Sequence, residues 1–127
     1  MDEYDKALIF ALKKWIADEI NEIYDNKVYA LVLGLDEDGY IGYNTEKHLK
    51  DSGSDRFDII AWKHPRFACI NDDEAVDGSY EIWSRFKGGG DLRDTYFACA
   101  RAAADELVED GIIKERFSEN IPILFAD

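Results

Sequence analysis

The chain has 127 residues, 46% of them hydrophobic and 13% aromatic, which fits one globular domain with its own core and excludes a disordered chain. Twenty-eight acidic residues against 15 basic ones give a formal net charge of −13. That sign argues against nucleic acid or an anionic membrane as partner, since both attract basic surfaces, and favours simple solubility or a basic protein partner.

No basic-then-apolar leader is present and no apolar run approaches 18 residues, so neither a signal peptide nor a membrane span is expected, and the expected location is cytoplasmic. Residues 3–24 predict an amphipathic helix. Leu8, Ile9, Leu12, Trp15, Ile16, Ile20 and Ile23 recur at three and four, which is one helical face. Asp2, Glu3 and Asp5 suit the positive end of its dipole. The polar side lacks the basic excess that a membrane-surface helix wants. Val28–Leu35 is nearly all apolar and predicts a central strand buried on both faces. Asp36, Glu37, Asp38 and Gly39 then predict a tight turn, with glycine taking a positive φ, and Tyr40–Tyr43 a partner strand.

Asn44–Lys50 predicts a short helix capped by Asn44 or Thr45, followed by a loop over 51–55. In 56–70, alternation of Phe57, Ile59 and Ala61 with Asp58, Ile60 and Trp62 suggests a weak strand, broken at His64-Pro65 and resumed at Phe67–Ile70. The acid-rich stretch from Asp72 to Glu81 carries no base. Residues 79–87 read as a short helix or a strand, the helix with Ser79 as its cap being favoured, and Gly88-Gly89-Gly90 is a break. Residues 91–110 predict a second long helix, with Asp91 as N-cap, Asp94 in the place of a capping-box acid and Gly111 as the C′ glycine. Residues 112–117 connect to a terminal strand at 121–125, where Pro122 argues for a sheet edge or a strand start. The class is α+β: an N-terminal amphipathic helix, a central antiparallel sheet with a hairpin, a second long helix and a C-terminal strand in a single domain. An exposed terminal strand could pair two copies, so monomer and dimer both stay open.

No catalytic or cofactor signature emerges. An EF-hand register with Gly39 at position 6 puts Gly34 at 1 and Thr45 at 12; with Gly78 at 6 it puts Asp73 at 1 but Ala75 at 3. Both fail. His48, His64, Cys69 and Cys99 have no zinc-finger spacing. The two cysteines sit in apolar surroundings and read as buried free thiols rather than nucleophiles. Lys87-Gly88-Gly89-Gly90 lacks the ending of a P-loop. One constellation stands out. Asp72, Asp73, Glu74 and Asp77 run into Tyr80 and Trp83, and Asp36, Glu37 and Asp38 form a second acidic cluster beside Tyr40 and Tyr43. Carboxylates that steer and aromatics that anchor are what binding a basic protein requires. The competing reading is two solvated loops beside core aromatics.

The VYALVLGLDEDG strand and turn, YNTE at 43–46, the RF…AW segment at 56–62 and the closing helix–glycine–strand resemble a family of small bacterial α+β proteins. Some of these are related in type to the immunity proteins of polymorphic toxin and contact-dependent growth-inhibition systems. The resemblance spans most of the chain, and the acidic run at 72–81 carries none of it. It implies a domain that binds and neutralises a cognate toxin, and no catalytic residue. Many toxin domains are nucleases with a basic groove, so charge and resemblance point the same way. The alternative is a small enzyme or ligand-binding domain with a pocket lined by Tyr43, Trp62, His64 and Trp83.

Overall fold

A computed structural model describes residues 1–36, 38–87 and 92–126. The readings placed on Glu37, on Gly88-Gly89-Gly90 and on Asp91 lie outside these residues. The fold is α+β. Helix α1 spans Glu3–Asn21 and is capped by Asp2, whose carboxylate accepts from the Asp5 N–H at 2.9 Å. All seven apolar residues of its predicted face are buried. Its last turn carries no basic residue. The cation arrives from elsewhere: the Arg116 guanidinium donates to the carbonyls of Ile20 and Ile23 at the C-terminal end of the helix.

Strands β1 (Val28–Leu35) and β2 (Gly39–Thr45) pair antiparallel as the hairpin. Every residue of β1 is buried, as its unbroken apolar run predicts. Gly39, however, does not take a positive φ. Its reason is steric: a Cβ there would strike the Ile70 side chain and the Tyr96 hydroxyl. Thr45 caps helix α2 (Glu46–Ser52) by accepting from the His48 N–H at 3.2 Å.

The 56–70 segment departs from expectation. Residues 59–61 form a 3₁₀ turn rather than a strand, and strand β3 runs His64–Cys69, starting at the predicted break. Pro65 is tolerated because β3 is an edge strand, where a missing donor costs no ladder bond. Helix α3 spans Glu74–Lys87, five residues longer at its start than predicted. Its cap is Asp73, whose carboxylate accepts from the N–H groups of Ala75 and Val76 at 3.1 and 3.2 Å. Helix α4 (Leu92–Glu109) ends at Gly111, whose φ of +76° is the left-handed turn predicted for a C′ glycine. Helix α5 (Ile112–Phe117) leads to strand β4 (Ile123–Ala126).

The sheet order is β3-β2-β1-β4. The first three strands are antiparallel, as predicted, but β4 adds to β1 in parallel, so the sheet is mixed. Pro122 sits just ahead of that edge strand and contributes its carbonyl to Leu31 N–H at 3.0 Å. Helices α1, α3, α4 and α5 cover one face of the sheet around Leu31, Leu33 and Ile41. The other face is closed by Trp62, Ile59 and Leu49 over Ala30 and Val32. No helix among the described residues is long and apolar enough to cross a membrane.

Candidate functional site

The hairpin tip and α3 meet. Asp38 accepts from the Asn71 N–H at 3.0 Å, which ties it to the turn that enters α3. Asp36 accepts from the Asp38 N–H at 3.1 Å, so the tip is held from within as well. Between tip and helix lies a groove of about 690 Å³, lined by Asp36, Asp38, Arg66, Asp77, Tyr80 and Glu81 among others. Asp77, Tyr80, Glu81 and Ser84 reach it together because they share one face of α3 at helical spacing.

Four carboxylates face a single guanidinium here. Arg66 donates to Asp36 at 2.5 Å, reaches the Cys69 sulfur at 3.4 Å, and lies 4.9 Å over the Tyr40 ring. Tyr80 is half-buried against Trp83 and Tyr96, with centroids 5.7 and 6.0 Å away. Burial first, and then the negative charge of Asp38, push its phenol above the ordinary range, so it stays neutral and can donate. Among the described residues no three of His, Cys, Asp and Glu converge to hold a metal ion. The acids are spread along the groove instead, an arrangement suited to an extended basic surface.

The nine predicted site residues do not stay together. Asp36, Asp38, Asp77 and Tyr80 line the groove. Asp73 is turned to the α1 side, where it borders a different groove with Ala7 and Phe10. Asp72 and Asp73 both add to the repulsion that, after burial, raises the Glu19 carboxyl. Asp72 and Glu74 are exposed. Glu37 lies outside the described residues. Trp83 is a correction: at 1% exposure it belongs to the core, its indole N–H donating to Asp5 at 2.9 Å, and it offers a partner no surface. Glu81, Arg66 and Cys69 line the groove as well but are not among the predicted site residues. Glu81 stands four residues after Asp77, a helical signal that a helix start at Ser79 conceals.

Compared with models of known families, with curated proteins and with solved structures, the chain matches none. Its own geometry therefore carries the functional reading.

Tyr43, Trp62, His64 and Trp83 do not line a common cavity. Trp62 belongs to the cluster on the opposite sheet face from Tyr43 and Trp83. The Tyr43 and His64 rings do touch, 5.1 Å apart, but the Tyr43 hydroxyl is committed to Asp25 at 2.5 Å. Burial and that carboxylate raise the Tyr43 pKa. Asp25 is held low by hydrogen bonds from Lys63 and Tyr43. Cys99 is buried and its thiol pushed up to about 12, first by burial and then by Asp5, so it is no nucleophile. Cys69 is only half-buried, against expectation, because it lies on the edge strand beside Arg66.

Proposed function

We propose that this chain is a binding protein without catalytic activity that neutralises a basic protein by seating part of its cationic surface in the groove between the hairpin tip and α3. The observation that carries this reading is that Asp36 and Asp38, some forty residues from Asp77 and Glu81 in the chain, line one groove with the half-buried Tyr80. Carboxylates at a net charge of −13 accelerate encounter with a basic surface, and Tyr80 supplies an aromatic anchor at the centre. In keeping with the family resemblance, the partner is a nuclease-type bacterial toxin domain, and the chain is its immunity protein, acting in the cytoplasm of the producing cell.

The test is calorimetric titration against the toxin domain encoded beside this chain, at low and at physiological salt. Wild-type binding should weaken with salt, because the attraction is between exposed charges. Reversal of two groove acids, Asp77→Lys with Glu81→Lys, should weaken it at least about tenfold through k_on and lost pairs, whereas Glu74→Lys outside the groove should do much less. Equal affinity in the groove variant and wild type would discard the groove; absence of binding at either salt would discard the inhibitor reading.

A further inference from the structure

One face of α1 is turned away from the core and left uncovered. Phe10 stands at its centre, 72% exposed. At helical spacing Glu3, Lys6, Ala7, Lys14 and Ala17 share that face. An apolar groove runs along each side of the Phe10 ridge. The one between α1 and the α4–α5 pair is about 530 Å³ and is floored by Ile9, Leu107 and Ile112. The one between α1 and α3 is about 410 Å³ and is walled by Ala7, Ala11 and Val76. Lys13 is engaged by Asp110 at 2.6 Å and Glu106 at 3.6 Å. Glu3, Lys6 and Lys14 make no ion pair among the described residues.

We propose that this face is a homodimer interface, in which α1 packs antiparallel to α1 of a second copy across a two-fold axis. The register that seats Phe10 against Ala7 of the second copy also sets Lys14 beside Glu3 and Lys6 beside Ala11, and symmetry makes each contact twice. Phe10 then enters the groove walled by Ala7 and Ala11, whose small side chains leave room for a ring. The overlap covers residues 3–14, about 18 Å of helix.

Charge selects both the occupant and the register. An isologous interface uses one patch for both halves, and this patch carries the acid for its own lysine at the matching distance on the far side of Phe10. The neighbouring register, with Phe10 on Phe10, would bring Lys6 against Lys14 and repel. An anionic membrane offers no acid–base pattern to match Glu3 and Lys14 and repels a chain of net charge −13; a second copy carries the same net charge, and the two Glu3–Lys14 pairs with the covered Phe10 ring act against that repulsion. Two helices meeting over so short a length form a small interface, so the dimer is a weak one, with a dissociation constant of roughly 1–100 μM.

Sedimentation velocity on the full chain, from about 1 μM to about 500 μM at physiological salt, reads this directly. The mass should rise with concentration from 14.6 kDa towards twice that value. Phe10→Ser should raise the dissociation constant at least tenfold with no change in the circular dichroism spectrum, because Phe10 supports no core. Lys14→Glu should do the same by facing Glu3 with a second acid. Adding Glu3→Lys to Lys14→Glu restores the pair with its charges exchanged and should recover most of the lost association. A chain that stays at 14.6 kDa throughout overturns the proposal, as does a dimer indifferent to Phe10→Ser. A double variant no better than Lys14→Glu alone overturns the register.

Discussion

Trp15 and Trp83 are each 1% exposed, but only one of them has a partner for its indole N–H among the described residues. Trp83 donates to Asp5 at 2.9 Å. The Trp15 N–H is buried with no acceptor among the described residues. Asp5 is itself 7% exposed and also accepts from Lys87 at 3.0 Å. Burial pushes its carboxyl upward, but the hydrogen bonds from Trp83 and Lys87 outweigh that and hold it below the ordinary 3.8. A buried carboxylate is tolerable only when so supplied. Replacing either tryptophan by phenylalanine removes the same atoms from the core, so the difference between the two isolates the hydrogen bond. Trp83→Phe should be the less stable protein by about 1.5–3 kcal/mol, the value of a hydrogen bond to a charged group, whereas Trp15→Phe discards a donor that had no acceptor. Urea denaturation of the two variants measures this; equal midpoints would mean that Asp5 draws nothing from Trp83.

At the scale of the element, α3 shows how an acidic run can be misread. Asp72 to Asp77 looks like solvated loop by composition, yet acids are what the first turn of a helix favours, and Glu74 and Asp77 occupy that turn behind the Asp73 cap. Asp73→Ala should cost about 1 kcal/mol in thermal or urea denaturation. Ser79→Ala, at the position the sequence suggested for the cap, should fall within about 0.5 kcal/mol of wild type, since its hydroxyl bonds only to the Ala75 carbonyl of the same helix. The reverse order would put the helix start back at Ser79. With the helix begun at Glu74, Val76, Tyr80 and Trp83 fall on its inner face and Asp77 and Glu81 beside them, so this part of the site was legible in principle. The elements with long uninterrupted periodicity, α1, β1 and α4, were legible in fact. The alternation at Phe57–Trp62 misled because burial does not follow it: Ile60 and Trp62 would share one face of a strand, yet across the 3₁₀ turn they are 91% and 4% exposed. The meeting of Asp36 and Asp38 with α3 was not legible, because it depends on the edge strand β3 and on a hydrogen bond between residues 33 positions apart.

Over the whole molecule, the charge of −13 sets how stability responds to pH and salt. Two groups of carboxyls pull in opposite directions. Glu19 is raised above its ordinary 4.5 by burial and then by Glu22, Asp73 and its other acidic neighbours. The folded chain therefore holds that proton more tightly than the unfolded one, and stability rises as pH falls through its folded pKa. General repulsion among the remaining acids acts in the same direction. Asp2, Asp5 and Asp25 are lowered below 3.8: Asp2 chiefly by Lys87, Asp5 by Trp83 and Lys87 against burial, Asp25 by Lys63 and Tyr43. Their contribution is complete above 3.8 and disappears as pH falls through their folded values. The melting temperature should consequently rise from pH 8 to a maximum near about pH 5 and drop steeply below about pH 3.8. At pH 7, raising salt from about 0.05 M to about 0.5 M should increase it, because repulsion between separated acids is screened while the few surface ion pairs lose little. At the pH maximum the same salt step should have a smaller effect. Circular dichroism melts across this grid decide the matter: a melting temperature that declined steadily from pH 8 to pH 5, or that fell with salt at pH 7, would mean that the paired acids outweigh the crowded ones.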